Sequence, residues 1–454
     1  MRQVPHIASY GLVRDVTPKI VQEFDQSSRL VQLVFTLAVF HCGEHKEPSP
    51  QEPRMTQTAS AIAPHTFSVT PELEDLGLID GCDHTQRVLL TPGPLTTAPE
   101  VRAAAGVDWG SWDRDFVALT ARVRAGLLEA GGVPTGLACV PMQGSGTFSV
   151  EAAVRTFVPA NGGLVVGVNG AYGERMARLA QQAGLRVHVV EERWNRPIDP
   201  ERLARVLRVR RGFTHVGLIH CETSTGLLNP LRTTAEAVHG AGGKLIVDAM
   251  STFGALEVMA DHPAIDAVVA ASGKCLEGLP GVGFVLSHPE VLTEAQGRCD
   301  SLSLDLVDQY EYMELSGQWR YTPPTHVVAA LAVALDHHRQ EGGRAARLAR
   351  YQANSTALTE AAAQLNLLPY LPQSVQAPII HTYYAPRGNG WSFSRFYDLV
   401  RRRGFILYPG KLTEEETFRV GCIGRVTAHT MRQAAQAIGQ ALASMGLAAT
   451  NEMN

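Results

Sequence analysis

Three short stretches hold residue types that could combine into one reactive site. Gln143-Gly144-Ser145-Gly146-Thr147 follows an apolar run and opens a helical pattern. Its glycines let the backbone approach an anion, and the unpaired N–H groups of a first helical turn attract one. Asp248 closes the run Lys244-Leu245-Ile246-Val247. An acid at the carboxyl end of an apolar strand faces the crevice where α/β sheets bind ligands, and it needs a cation or a donor there. Lys274 stands in Ala271-Ser272-Gly273-Lys274-Cys275, just past the next apolar run. Partial burial lowers a lysine's proton affinity and makes its amine a nucleophile. Each stretch also has a plain alternative: a tight turn, a capping or salt-bridging aspartate, a solvated lysine.

Two phosphate-binding rivals fail on the residues. A P-loop closes with Gly-Lys-Ser/Thr, and no lysine stands in 143–147. A dinucleotide fingerprint needs a third glycine where Ser149 stands, and an acid after the next strand, where Asn169-Gly170 stands. Taken together, an anion cradle, a carboxylate and a lysine at strand ends suit pyridoxal phosphate. The lysine holds the aldehyde as an imine, the carboxylate keeps the pyridine nitrogen protonated, and the helix start holds the phosphate. Tyr172, in Asn169-Gly170-Ala171-Tyr172-Gly173, is the candidate to stack on the ring; core packing is its plain alternative.

The elements that must position these residues read as an α/β fold with a mainly parallel sheet flanked by helices. Strands are expected at 137–141, 164–168, 186–190, 215–219, 244–247 and 267–271. Helices are expected at 147–158, 174–182, 200–209 and 233–239, with Asp113 capping an earlier helix that Gly131-Gly132 ends. From about 326 the pattern changes to two long helices (326–340, 343–366). Strands at 379–384, 405–408 and 418–421 follow, with helices at 394–403 and 427–446. The predicted organisation is an N-terminal extension (1–86), a large cofactor-binding domain (87–325) and a smaller C-terminal α+β domain (326–454).

Within the extension, residues 46–75 read as a flexible lead-in, and Met55 is an alternative start. The apolar run 30–40 is too short to span a membrane and lacks a small-residue cleavage site. A net charge of −4 gives no basic field for nucleic acid. The seven cysteines form no CxxC pair, which favours a reducing compartment, the cytoplasm. No histidine pair has HExxH spacing, so no metal is expected.

Ordered motifs across about 87–445 give the chain a family likeness. They include Leu90-Thr91-Pro92-Gly93-Pro94, Gln143–Thr147, Asn169–Met176, His220-Cys221-Glu222-Thr223-Ser224-Thr225-Gly226, Val247-Asp248-Ala249-Met250-Ser251, Trp319–His326, Tyr408-Pro409-Gly410-Lys411 and Phe418-Arg419-Val420-Gly421. The chain resembles the class V aminotransferases of pyridoxal phosphate fold type I. Ser301-Leu302-Ser303-Leu304-Asp305-Leu306 and the 408–411 turn narrow the likeness to the branch that exchanges an amino group between 2-aminoethylphosphonate and pyruvate.

The resemblance implies roles. Lys274 is the Schiff-base lysine and Asp248 the partner of the pyridine nitrogen. Ser145, Gly146 and Thr147 bind phosphate, Tyr172 covers the ring, and Thr223 bonds its ring oxygen. Arg419 holds the substrate's anion. Thr322 reaches the phosphate from the other subunit, which implies a homodimer with shared sites. One departure is Gly273, where the family usually has Asn or Gln to help bind phosphate. The alternatives are an alanine–glyoxylate or serine–pyruvate type of aminotransferase, and a non-catalytic pyridoxal phosphate-binding regulator. A cysteine desulfurase fits less well, because no cysteine stands in an obvious catalytic loop.

Overall fold

The computed structural model describes residues 87–447 except 134, 389 and 411–414. The predicted extension 1–86, with its lead-in and apolar run, and Lys411 of the 408–411 turn lie outside the described residues.

The strands of the main sheet are β2 (Ala138–Gln143), β3 (Gly163–Val168), β4 (Arg186–Glu191), β5 (His215–Ile219), β8 (Lys244–Asp248), β9 (Ile265–Ala271) and β10 (Val282–Ser287), preceded in the chain by β1 (Val88–Leu89). The hairpin β6 (Cys221–Glu222) and β7 (Leu227–Leu228) branches off after β5. The seven-stranded sheet runs in the order β2-β10-β9-β8-β5-β3-β4. Its neighbours pair in parallel from β9 through to β4, whereas β10 is antiparallel to both β9 and β2.

The apolar strands form because the pleat sends alternate residues into two separate cores. Leu245 and Val247 of β8, with Val268 and Ala270 of β9, face a core completed by the helices Arg114–Gly131 and Thr325–Glu341. Ile246, Ala267 and Val269 face the opposite core, completed by the helices Gly146–Phe157 and Ala171–Gln182. Asp113 caps the first of these helices, accepting from Asp115 N at 2.9 Å, and Gly132 ends it at φ 81°.

The C-terminal strands β11 (Ile380–Tyr384), β13 (Tyr408–Pro409) and β14 (Thr417–Gly421) form an antiparallel sheet in the order β11-β14-β13, and β12 (Phe405–Ile406) lies between β11 and β13 in the chain. A third core joins this sheet to the helices Gly343–Gln364, Phe393–Arg402 and Ala428–Ser444.

Several elements differ from the sequence reading, among them short pieces such as β1, the β6–β7 hairpin and the helices Pro99–Ala104 and Pro289–Glu294. β10 is an apolar run that the reading left unassigned. The expected strand 405–408 divides, because β12 pairs with β1 while β13 pairs with β14. The helix Leu306–Ser316 was also unassigned; Asp305 caps it by accepting from Val307 N at 2.9 Å.

For the site, the helix Gly146–Phe157 matters most. It follows β2, which runs parallel to β9, so its N-terminus stands at the carboxyl ends of the parallel strands and beside the start of β10.

Candidate active site

After β2 the backbone turns through Gly144, at φ 115°, whose N–H donates to Gly281 O at 2.9 Å. Ser145 takes the extended N-cap conformation and uses no side-chain cap, which leaves its hydroxyl uncommitted to the helix. Gly146 begins the helix, and a Cβ there would collide with Met250 Sδ. The Met250 side chain would have to swing aside for any larger residue, and Ser145, Gly146 and Thr147 line a cavity of about 350 Å³.

Asp248, Lys274, Tyr172 and Thr223 line the same cavity as Ser145, Gly146 and Thr147. Asp248 is buried, and its carboxylate accepts from Met250 N at 3.0 Å. Burial pushes this carboxyl up to about 6; the Glu222 charge adds to the rise, while the Met250 N–H, Lys274 and Arg175 oppose it. Burial also lowers the proton affinity of Lys274; Tyr172, Cys275 and Asp248 oppose this, and Arg419 reinforces it. The lysine sits in a turn closed by Glu277 N donating to Lys274 O at 2.8 Å. The 91–94 segment passes close by: a Cβ on Gly93 would stand 2.9 Å from Lys274 Cδ and 3.0 Å from its Nζ.

Tyr172 opens the helix Ala171–Gln182, and Glu222 fixes that helix start. The fully buried Glu222 carboxylate accepts from Tyr172 N at 3.1 Å, Gly173 N at 3.2 Å and Ser224 N at 3.1 Å. A Cβ on Gly170 would strike this carboxylate, so the approach needs glycine. Glu222 directly precedes Thr223, whose carbonyl accepts from Arg419 Nη1 at 2.8 Å. Arg419 Nε donates to Pro409 O at 2.9 Å. This buried guanidinium thus meets neutral carbonyls, and no carboxylate among the described residues forms an ion pair with it. Burial lowers its proton affinity. A charge held this way suits an anionic ligand.

Thr322 stands apart. It is exposed and lines a separate depression with Trp112 and Tyr312. His220 is buried, pairs its Nδ1 with Thr252 Oγ1 at 3.0 Å, and is held at about 4 by burial. It does not line the cavity. Two residues that the sequence reading left without roles belong to the site: Glu222, and Arg175, which lines the cavity and donates to Thr147 Oγ1 at 3.2 Å. Glu222 had one signal, an acid three residues past an apolar strand run.

Residues 138–378 match the family model described as aminotransferase class-V. A curated relative from Pseudomonas aeruginosa, named 2-aminoethylphosphonate–pyruvate transaminase, is 52% identical over 355 residues, covering 78% of this chain and 96% of the relative. A Polaromonas protein named 2-aminoethylphosphonate–pyruvate transaminase 1 is 51% identical over 370 residues, covering 81% and 99%. Among solved structures, an alanine–glyoxylate aminotransferase from a Nostoc species superposes with a TM-score of 0.73 at 25% identity, covering 79% of this chain and 95% of that one. A pyridoxamine–pyruvate aminotransferase from Mesorhizobium loti superposes at 0.72 with 24% identity, covering 80% and 94%.

Proposed function

Because the chain belongs to the class V aminotransferases, of fold type I, we propose that it moves the amino group of 2-aminoethylphosphonate to pyruvate, yielding phosphonoacetaldehyde and alanine, with pyridoxal 5′-phosphate as cofactor. The observation that carries this reading is one cavity of about 350 Å³ lined by Lys274, Asp248 and the glycine turn 144–147. Such a volume is typical of small-ligand sites. The donor set fits the cofactor: amides at a helix start for a phosphate, a buried carboxylate for a ring nitrogen, an amine for an aldehyde.

When bound, pyridoxal phosphate supplies the electron sink that makes a proton on the amino-bearing carbon removable. Ser145, Gly146 and Thr147 bind its phosphate. Asp248 holds a proton at the ring nitrogen, Tyr172 covers the ring face, and Thr223 orients the ring oxygen. Lys274 Nζ carries the proton off the amino-bearing carbon and redelivers it. Its lowered proton affinity suits that task. The 91–94 segment, packed against the lysine, limits access by water. Arg419 binds the phosphonate of the donor and then the carboxylate of pyruvate, the two anions taking turns. On this reading 87–325 carry the cofactor, and the residues from 326 onward contribute Arg419.

We also propose a homodimer in which Thr322 of the partner subunit reaches the phosphate. Exposed apolar residues support this. Trp112, which shares the Thr322 depression, is 76% exposed, and Leu302, whose carbonyl accepts from Tyr321 OH, is 71% exposed. Among the described residues no helix is long and apolar enough to cross a membrane. The described cysteines are free, in keeping with a reducing cytoplasm, where we place the enzyme.

Initial rates of alanine formation, varied in both substrates, test this reading. Parallel reciprocal plots are expected from a shared site. Intersecting plots, or a clear preference for serine or alanine as donor, would reject it.

A further inference from the structure

The formally charged side chains lining the cavity are Arg175, Lys274 and Asp248. Lys274 and Asp248 have opposite signs and offset each other. A phosphate dianion at the 144–147 turn would then meet chiefly the helix N-terminus, equivalent to roughly half an elementary charge. Position 273 adds no side chain, and a Cβ there would already press on Pro280 at 3.2 Å.

Arg175 is placed to supply the missing charge. It follows Tyr172 by three residues, so the two side chains share one face of the helix Ala171–Gln182. Its guanidinium lies 4.8 Å from the centre of the Tyr172 ring and donates to Thr147 Oγ1 at 3.2 Å. Among the described residues no carboxylate forms an ion pair with it. The cation thus bridges the aromatic wall and the anion cradle, with donors left over for a planar, two-pronged contact.

We propose that Arg175 is a phosphate-binding residue, the side-chain cation that makes this cavity prefer a phosphorylated pyridoxal over the free aldehyde. The assignment rests on the cofactor reading above and adds to it a determinant of ligand choice. Arg175 contacts the anion while Thr147 fixes its guanidinium; Tyr172 supports it from the side. Because the residue is exposed on a helix surface, its replacement leaves the cores untouched.

The test uses the cofactor-free protein with pyridoxal 5′-phosphate and with pyridoxal, following the visible absorbance that appears when either aldehyde links to Lys274. Substituting Arg175→Gln removes a charged donor, so affinity for the phosphorylated form is expected to fall roughly 10- to 100-fold. Affinity for pyridoxal is expected to stay unchanged, and Arg175→Lys to fall between. An equal loss for both aldehydes would mean that Arg175 only supports Tyr172, and would overturn the assignment. So would an unchanged preference. If the unaltered protein took up neither aldehyde, the cofactor reading itself would fail and this assignment with it.

Discussion

Replacing Asp248 by asparagine should make the empty protein more stable at neutral pH while removing its activity. The carboxyl is raised from 3.8 to about 6, chiefly by burial, and the Met250 N–H is its one backbone donor. At 1.36 kcal/mol per unit, that shift corresponds to about 3 kcal/mol of destabilisation once the group is charged. The folded state binds the proton more tightly than the unfolded chain, so stability falls as pH rises from about 4 through 6 and then levels off. Asparagine keeps the acceptor for Met250 N but does not titrate. Its amide adds N–H groups that lack partners, an offset of about 1 kcal/mol that is independent of pH. The predicted signature is therefore a difference between variant and wild type that moves by about 3 kcal/mol in favour of Asp248→Asn across the window. About half of that change falls above pH 5. Urea unfolding of both cofactor-free proteins at a series of pH values measures it. A difference that stays flat, or moves toward the wild type, would refute the argument that Asp248 is a desolvated charge awaiting a cation. Activity in Asp248→Asn comparable to wild type would refute its proposed task.

Arg419→Gln should lower kcat/KM for both 2-aminoethylphosphonate and pyruvate by roughly 10²- to 10⁴-fold, the loss of two charged hydrogen bonds, while cofactor absorbance persists. A loss confined to one substrate in steady-state assays would contradict a shared anion site. Gly146→Ala sets a methyl against Met250 Sδ, so the thioether must shift within the cavity wall; cofactor binding should weaken by no more than about 10-fold, and adding Met250→Ala should restore it in an absorbance titration. Burial holds His381 at about 4, with Ser355 Oγ 2.7 Å from its Nε2, so the unfolded chain binds the extra proton between pH 4 and 6.5 and stability drops as pH falls through that range. His381→Gln should remove up to about 3 kcal/mol of that acid sensitivity, read from urea midpoints against pH.

Much of the sheet was legible because β3, β5, β8 and β9 are covered on both faces and so read as unbroken apolar runs. β10 carries the same signal; only its antiparallel direction has no local signature. The pairing of β1 with β12 was not legible, since it joins two-residue segments at opposite ends of the described chain through backbone bonds. At the site, Lys274 and Asp248 declared themselves by standing just past apolar strands, where a charge needs a reason. Arg175 gave no such sign, because its meaning depends on Thr147, which only folding brings beside it. Arg419 was recognisable by resemblance alone; its lack of a carboxylate partner is a three-dimensional fact. Thr322 lies outside the cavity that the other candidates line, and its assignment rests on the proposed homodimer.

The central claim is that the Lys274 amine performs the amino exchange inside this cavity. Alanine formation from 2-aminoethylphosphonate and pyruvate, measured for the wild type beside Lys274→Ala with both proteins saturated in pyridoxal phosphate, addresses it directly. The expected result is steady turnover in the wild type and a rate lower by several orders of magnitude in the variant. Undiminished turnover without the lysine would contradict the account.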